Sequence, residues 1–426
     1  MRTRAILPAV LSILPLMTHG YPLYDSEETG IQRLEAARLA HEGVIPGSQR
    51  PAGELLSLEQ VDLRLLAYPE LDLPTIDTKF SEQIRRLLGK EAERYSLSLL
   101  DLSDPRRPRY AEHNGAARRN PGSVGKIIAA LGFFQALADA YPDDLAQRRI
   151  LLRDTQVIAD GFIVYDHHKV RLWNPQKRRL TRRPLRLGDE GSLWEYLDWM
   201  LSASSNAAAA MVMQQAMLLR HFGRDYPPPS EEVERFFRET PRKVLGELFV
   251  ATFHEPVTRN GLDLERLRQG SFFTRTGKRK VPGTTSHAST REMLRLMLRM
   301  EQGRLVDLFS SRELKRLLYM TERRIRYASA PALRDAAVYF KSGSLYSCQP
   351  EPGFTCRKYM GNKKNLMNSA AIVEYPAGKE ELYYLVTLTS NVLRENSAVA
   401  HQTLAMRIHR LIQRNNTEKQ GDKGDK

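Results

Sequence analysis

The period of the hydrophobic pattern changes several times along the chain. Ile31, Leu34, Ala37 and Leu39 form one helical stripe, which Pro46, Gly47, Pro51 and Gly53 interrupt. A second short helix is predicted over residues 58–68, and Pro74 closes this opening region. Residues 80–95 are amphipathic, with Ile84, Leu87 and Leu88 on one face, and residues 96–101 then alternate as a strand does. Residues 123–141 are apolar nearly all round, which predicts a long buried helix. Residues 191–217 are helical with a break at Ser202–Asn206. Residues 231–248 are helical with Pro241 set to kink or split them. The last third is mixed: a helix over 289–300, strands over 336–340, 370–375 and 382–389, and a closing helix over 398–412. The tail beyond Asn415 is charged and lacks apolar residues, which predicts disorder. No internal repeat is visible. The order predicts an α/β (α+β) fold, its sheet built from both chain ends with a helical lobe inserted between them.

Length sharpens this outline. At 426 residues the chain exceeds the ~250–300 at which one core stops growing, so two lobes are expected. Its first twenty residues resemble an export signal. Arg2 and Arg4 precede a short apolar run, and Thr18-His19-Gly20 offers small residues at a cut before Tyr21. The expected location is therefore outside the cytoplasm, in the periplasm, with no transmembrane anchor once the signal is removed. Cys348 and Cys356 are a fair disulfide pair for an exported chain. The formal net charge is +15, which favours an anionic partner. The basic residues are dispersed, and no zinc-finger or RNP-like motif accompanies them, so nucleic acid is not the expected partner.

Three motifs carry chemistry. Ser123-Val124-Gly125-Lys126 opens the long apolar helix. A three-residue offset brings the Lys amine to the face of the Ser hydroxyl. Desolvation and the helix N-terminus both favour a neutral amine able to take the hydroxyl proton. Ser204-Ser205-Asn206 lies between two helices, so Ser204 and Asn206 can point into one cleft. Lys341-Ser342-Gly343-Ser344 leaves a strand, where Gly343 would admit a ligand close to the backbone. Asp166-His167-His168 suggests a metal, but neighbours on a strand face opposite ways and no further His or Cys cluster accompanies them, so no metal site is expected there. Trp194, Tyr196 and Trp199 read as core.

Taken in order, the three motifs resemble the Ser-x-x-Lys, Ser-Asp-Asn and Lys-Thr-Gly set of class A β-lactamases and penicillin-binding proteins. Met200-Leu201 and Ala208-Ala209 around the second motif, the run Thr284–Thr290 and Asn368–Val373 resemble that family too. The resemblance covers about residues 78–412 and implies an antiparallel central sheet, a helical lobe and a cleft between them. The boundaries expected are a signal over 1–20, a helical extension over 21–76, a catalytic domain over 77–412 and a disordered tail over 413–426. Within the domain the α/β lobe takes about 77–120 and 286–412, and the helical lobe about 121–285.

The resemblance also implies roles. Ser123 is the nucleophile and Lys126 its base; Ser204 and Lys341 relay a proton to the leaving nitrogen. Asn206 binds the substrate amide, Ser342 its carboxylate, and the N–H groups of Ser123 and Ser344 form an oxyanion hole beside Gly343. The substrate is a β-lactam or a D-alanyl peptide of peptidoglycan, and no cofactor or metal is implied. The chain departs from the pattern at Ser205, where class A enzymes have Asp, and at Ser342, where Thr is usual. Glu255-Pro256-Val257-Thr258-Arg259-Asn260 is similar to the family's Glu-Pro-x-x-Asn loop but one residue longer. Fast deacylation means a β-lactamase, slow deacylation a penicillin-binding D,D-peptidase; the wording around Ser204 favours the β-lactamase, while the longer Glu255 loop and the opening region point the other way. A non-catalytic peptide-binding module and an unrelated esterase or amidase are the rival readings.

Overall fold

A computed structural model describes residues 26–321 and 325–421. The expected export signal lies outside the described residues. Five antiparallel strands form the central sheet, in the spatial order Arg109–His113, Tyr95–Asp101, Leu382–Ser390, Lys364–Tyr375, Ala337–Ser347. The first two come from the start of the domain and the last three from its end, as the pattern predicts.

Alternation along each strand divides the core in two. Val338, Phe340, Val373, Tyr384 and Val386 meet the helices Thr78–Leu88 and Ser397–Gly421 on one face. Ala337, Tyr339, Ile372, Tyr383 and Leu385 meet the other helices on the opposite face. There the apolar helix Lys126–Ala140 is enclosed by its neighbours Asn206–Phe222 and Arg242–Phe253, so its apolarity serves the core. Pro241 splits the third helical stretch into Ser230–Glu239 and Arg242–Phe253, and Trp194, Tyr196 and Trp199 are buried.

Four expectations are corrected. The closing helix does not stop at 412. It runs Ser397–Gly421, with Asn415 buried and Asn416 donating to Asp101 Oδ2 at 3.0 Å. Specific hydrogen bonds to the body of the fold replace the apolar contacts that the tail lacks. The expected helix over 58–68 is absent. Val61, Leu63 and Leu65 are spaced by two and buried, and the chain there is irregular. Its backbone is held by a buried charge cluster: Arg64 N donates to Glu301 Oε2 at 3.0 Å and Lys315 Nζ to Asp62 O at 2.6 Å. Lys315 itself lies 2.8 Å from both Glu301 and Glu374.

The opening segment is also no appendage. Ile31 and Leu34 join the main core, and Arg33 forms a buried pair with Asp198 at 2.5 Å while donating to Met320 O. The fourth concerns the strand expected to end at Phe340. It continues to Ser347, so Lys341-Ser342-Gly343-Ser344 sits inside the edge strand. Pairing carries it on: Ser342 faces Ser369 and Ser344 faces Met367, although Ser and Gly are weak strand formers.

Candidate active site

The three motifs meet in one open cleft of about 920 Å³ between the sheet edge and the helical lobe. Ser123 sits in the 3₁₀ turn Gly122–Gly125, immediately before the helix that starts at Lys126. Asn120 secures the turn. Its Oδ1 accepts from Gly122 N at 2.9 Å, and its carbonyl accepts from Asn368 Nδ2 at 3.2 Å. The turn lies so close to the edge strand that a Cβ on Gly343 would fall 2.5 Å from Ser123 N and 2.7 Å from Pro121 O. Gly343 is therefore required by the close approach of the Ser123 turn. A Cβ on Gly122 would fall 3.5 Å from Ser344 N, which places the Ser344 amide beside the same turn.

Lys126 is fully buried. Its Nζ lies 3.1 Å from Ser123 Oγ, 2.7 Å from the Ser204 carbonyl and 2.8 Å from Asn206 Oδ1. Burial pushes this amine down to about 7, with the Asp166 carboxylate pulling the other way. A neutral amine has two N–H groups, and the two carbonyl oxygens take them. Its lone pair then faces the Ser123 hydroxyl. Phe273 covers the amine, its ring centre 5.0 Å from Nζ.

Ser204 stands between two lysines. Lys341 Nζ donates to Ser204 Oγ at 2.8 Å and to Ser342 O at 3.1 Å, while Lys126 Nζ lies 3.4 Å from the same hydroxyl. Burial holds Lys341 well below the usual lysine range, and the nearby Lys126 and Arg326 push the same way. Ser204 adopts φ +61°, a left-handed conformation that costs a non-glycine residue about 1–3 kcal/mol. That conformation lets one residue offer its carbonyl to Lys126 and its hydroxyl to Lys341.

The left-handed turn is held by a residue that motif reading missed. Asp166 Oδ2 accepts from Ser205 Oγ at 2.8 Å and Ala207 N at 2.9 Å. Its Oδ1 accepts from His168 N at 3.1 Å and lies 2.6 Å from His168 Nδ1. Ser205 thus donates to a carboxylate 39 positions upstream. Burial works against its charge, but the His168 contacts and the Ala207 N–H outweigh it and hold Asp166 well below the ordinary carboxylate range. The expectation that His167 and His168 face opposite ways is also corrected. They are not on a strand, and their rings stack 4.5 Å apart. The donor atoms of Asp166, His167 and His168 lie within 4.8 Å of one another, a grouping that the hydrogen bonds of Asp166 account for.

Arg326 is the second missed residue. Its Nη1 donates to Ser342 Oγ at 2.8 Å, and its Nη2 to Ser344 Oγ at 3.2 Å and Tyr359 OH at 3.1 Å. Sequence alone offered no signal for it, since one Arg among many has no motif. Glu255 is a correction. It is exposed, pairs with Arg220 at 3.0 Å and does not line the cleft. Asn260, its supposed partner, is buried against Gln135. Among the described residues, no Asp or Glu lines the cleft at all. Cys348 and Cys356 are bonded in the loop beyond the edge strand.

Comparison with known proteins places this geometry in context. The model of a family described as the beta-lactamase enzyme family matches residues 79–412. Among solved structures, the chain is similar to a PBP-A mutant in an acyl-enzyme complex with penicillin G. There the identity is 13% and the TM-score 0.49, over 81% of this chain and 100% of that one. A beta-lactamase from Sphaerobacter thermophilus matches at 12% identity and TM-score 0.49, over 78% and 97%. The TLA-3 extended-spectrum beta-lactamase matches at 13% identity and TM-score 0.49, over 78% and 98%. No curated protein matches.

Proposed function

The chain belongs to the beta-lactamase enzyme family, and from that premise we propose that it is an exported serine acyl-transfer enzyme acting on a β-lactam or a D-alanyl peptide. The observation that supports this most is the buried Lys126 amine facing Ser123 Oγ with both of its N–H groups already engaged. Ser123 Oγ bonds to the carbonyl carbon as its proton passes to Lys126 Nζ. The carbonyl π pair moves to oxygen, where the N–H groups of Ser123 and Ser344 receive it; one such donor is worth about 3–4 kcal/mol. Collapse breaks the C–N bond. The nitrogen takes the Ser204 hydroxyl proton, which Lys341 or the protonated Lys126 replaces. Arg326 and Ser342 bind the substrate carboxylate, and Asn206, whose Oδ1 is occupied by Lys126, turns its amide N–H groups to the substrate.

Slow deacylation is the favoured outcome within this reading. Glu255 is directed away, and no described carboxylate faces the cleft to activate water, so a long-lived acyl-enzyme fits better than rapid turnover. Export is part of the proposal, and the Cys348–Cys356 bond supports it, since such bonds persist in oxidising compartments. Intact-mass spectrometry of the mature protein mixed with a penicillin tests the reading. We expect an adduct on Ser123 that decays over minutes or longer and is absent in Ser123→Ala. Penicillin consumption without a lasting adduct would restore the β-lactamase reading. Retained affinity for cell-wall peptide with no acylation would favour a binding module.

A further inference from the structure

Thirty residues line the cleft. Six are Lys or Arg, and among the described residues none is Asp or Glu, although the chain carries 50 acidic residues against 65 basic ones. The cations fall on two walls. Arg326, Lys341 and Lys358 belong to the sheet wall, where the first two are engaged with Ser342, Ser344 and Ser204. Lys169, Arg182 and Lys278 belong to the helical lobe. All three are exposed, and their side chains make no ion pair or hydrogen bond with a described residue.

The second group is built as one surface. Lys169 precedes a hairpin formed by Val170–Asn174 and Arg179–Arg183, and Arg182 lies on its second strand. Between His167 and Gly188 the chain has eight Lys or Arg and no acidic residue. Lys278 lies on the helix Arg275–Lys280, which is tied to the segment leading into the hairpin. Thr276 N donates to Val164 O at 3.0 Å, and Thr276 Oγ1 to Phe162 O at 2.9 Å. The hairpin is braced from behind by the opening segment. Trp173 Nε1 donates to Glu35 Oε2 at 2.9 Å, and Trp173 packs on Ala36 and Leu39. Three cations aimed into one cleft without counter-charges repel one another, and an anionic ligand relieves that repulsion.

We infer that the enzyme selects acyl donors bearing a second carboxylate, at the acyl end remote from the Arg326–Ser342 pair, and that Lys169, Arg182 and Lys278 bind it. The inference rests on the acyl-transfer reading above. It also gives the opening segment a purpose, as the brace of a recognition hairpin.

The test uses two thioester acyl donors that share a C-terminal carboxylate and differ only at the far acyl end, carboxylate in one and carboxamide in the other. Rates of Ser123 acylation are read by intact mass. The remote carboxylate should speed acylation by about tenfold at low salt, since several exposed pairs add modestly, and the ratio should shrink as salt rises. In the triple variant K169A/R182A/K278A the ratio should fall to about one, and in R182E alone it should drop below the wild-type value. Thermal unfolding of each variant checks that it folds. A wild-type ratio near one, or a ratio kept in both variants, overturns the inference while leaving acyl transfer standing. If neither donor acylates Ser123, the acyl-transfer reading fails and takes this inference with it.

Discussion

On the sheet wall of the cleft, Lys341 and Gly343 are placed by strand register. They lie inside the edge strand, opposite Ala370 and Asn368, and their positions follow from continuous backbone pairing. On the helical wall, Ser204 and Asn206 are placed by a left-handed turn that Asp166 holds from a distant loop. Two amines converge on the Ser204 hydroxyl, Lys341 Nζ from the sheet wall at 2.8 Å and Lys126 Nζ from the helical lobe at 3.4 Å. One wall is held by local pairing, while the other is held by hydrogen bonds to a remote carboxylate. The helical wall is therefore where this site is tunable, and the sheet wall is where it tolerates least.

The largest effect should come from filling the gap between the walls. Gly343→Ala places a methyl 2.5 Å from Ser123 N, against backbone that cannot rotate away. The nucleophile turn must shift, and a displacement near 1 Å costs on the order of 100-fold. Stopped-flow acylation should show that loss together with a lowered unfolding midpoint, since overpacking of this kind costs about 1–3 kcal/mol. An unchanged rate would mean that the turn is not seated on the strand.

Acidity should act through Lys126 next. Its amine is held near 7 by burial, and only the deprotonated form accepts the Ser123 proton. Acylation should rise with pH through about 7 and level off above it, falling roughly tenfold per unit on the acid side. A profile flat from pH 5 to 9 would exclude Lys126 as the base.

The helical wall is broken more gently by Asp166→Asn. The amide can still accept from Ser205 and Ala207, but its charge is gone. Asp166 raises the Lys126 pKa, so its neutralisation should move the acid limb to lower pH. Asp166→Ala also removes the bonds, and leaving the buried Ser205 hydroxyl without its acceptor should cost about 1–3 kcal/mol of stability. A limb that moves upward in Asp166→Asn would contradict this electrostatic account. The smallest effect is expected from Glu255→Gln. Its exposed pair with Arg220 is worth at most about 1 kcal/mol, and the lifetime of the acyl-enzyme should not change. A longer lifetime in that variant would bring Glu255 back as a deacylating base.

Much of this was legible in the residues. Alternation at 96–101 and 382–389, the apolar run after Ser123 and the split at Pro241 each correspond to an observed element, because burial of a periodic face is a local property. Motif residues such as Lys126, Ser204 and Lys341 meet as their order suggested. Other features were not legible. The helix pattern over 58–68 lost to buried polar contacts with Glu301 and Lys315, which are far away in sequence. The strand through Ser342 and Gly343 was hidden by residues of low strand propensity.

By itself the sequence determined the α/β plan and the pairing of the Ser123 hydroxyl with the Lys126 amine, since hydrophobic period and a three-residue offset act over single turns and strands. Only the tertiary structure decided that Asp166 holds the turn at Ser205, that Arg326 bonds to Ser342, and that Glu255 faces away. Each of those depends on charges brought within hydrogen-bond reach across the fold, and electrostatics at that range leaves no periodic trace in the chain.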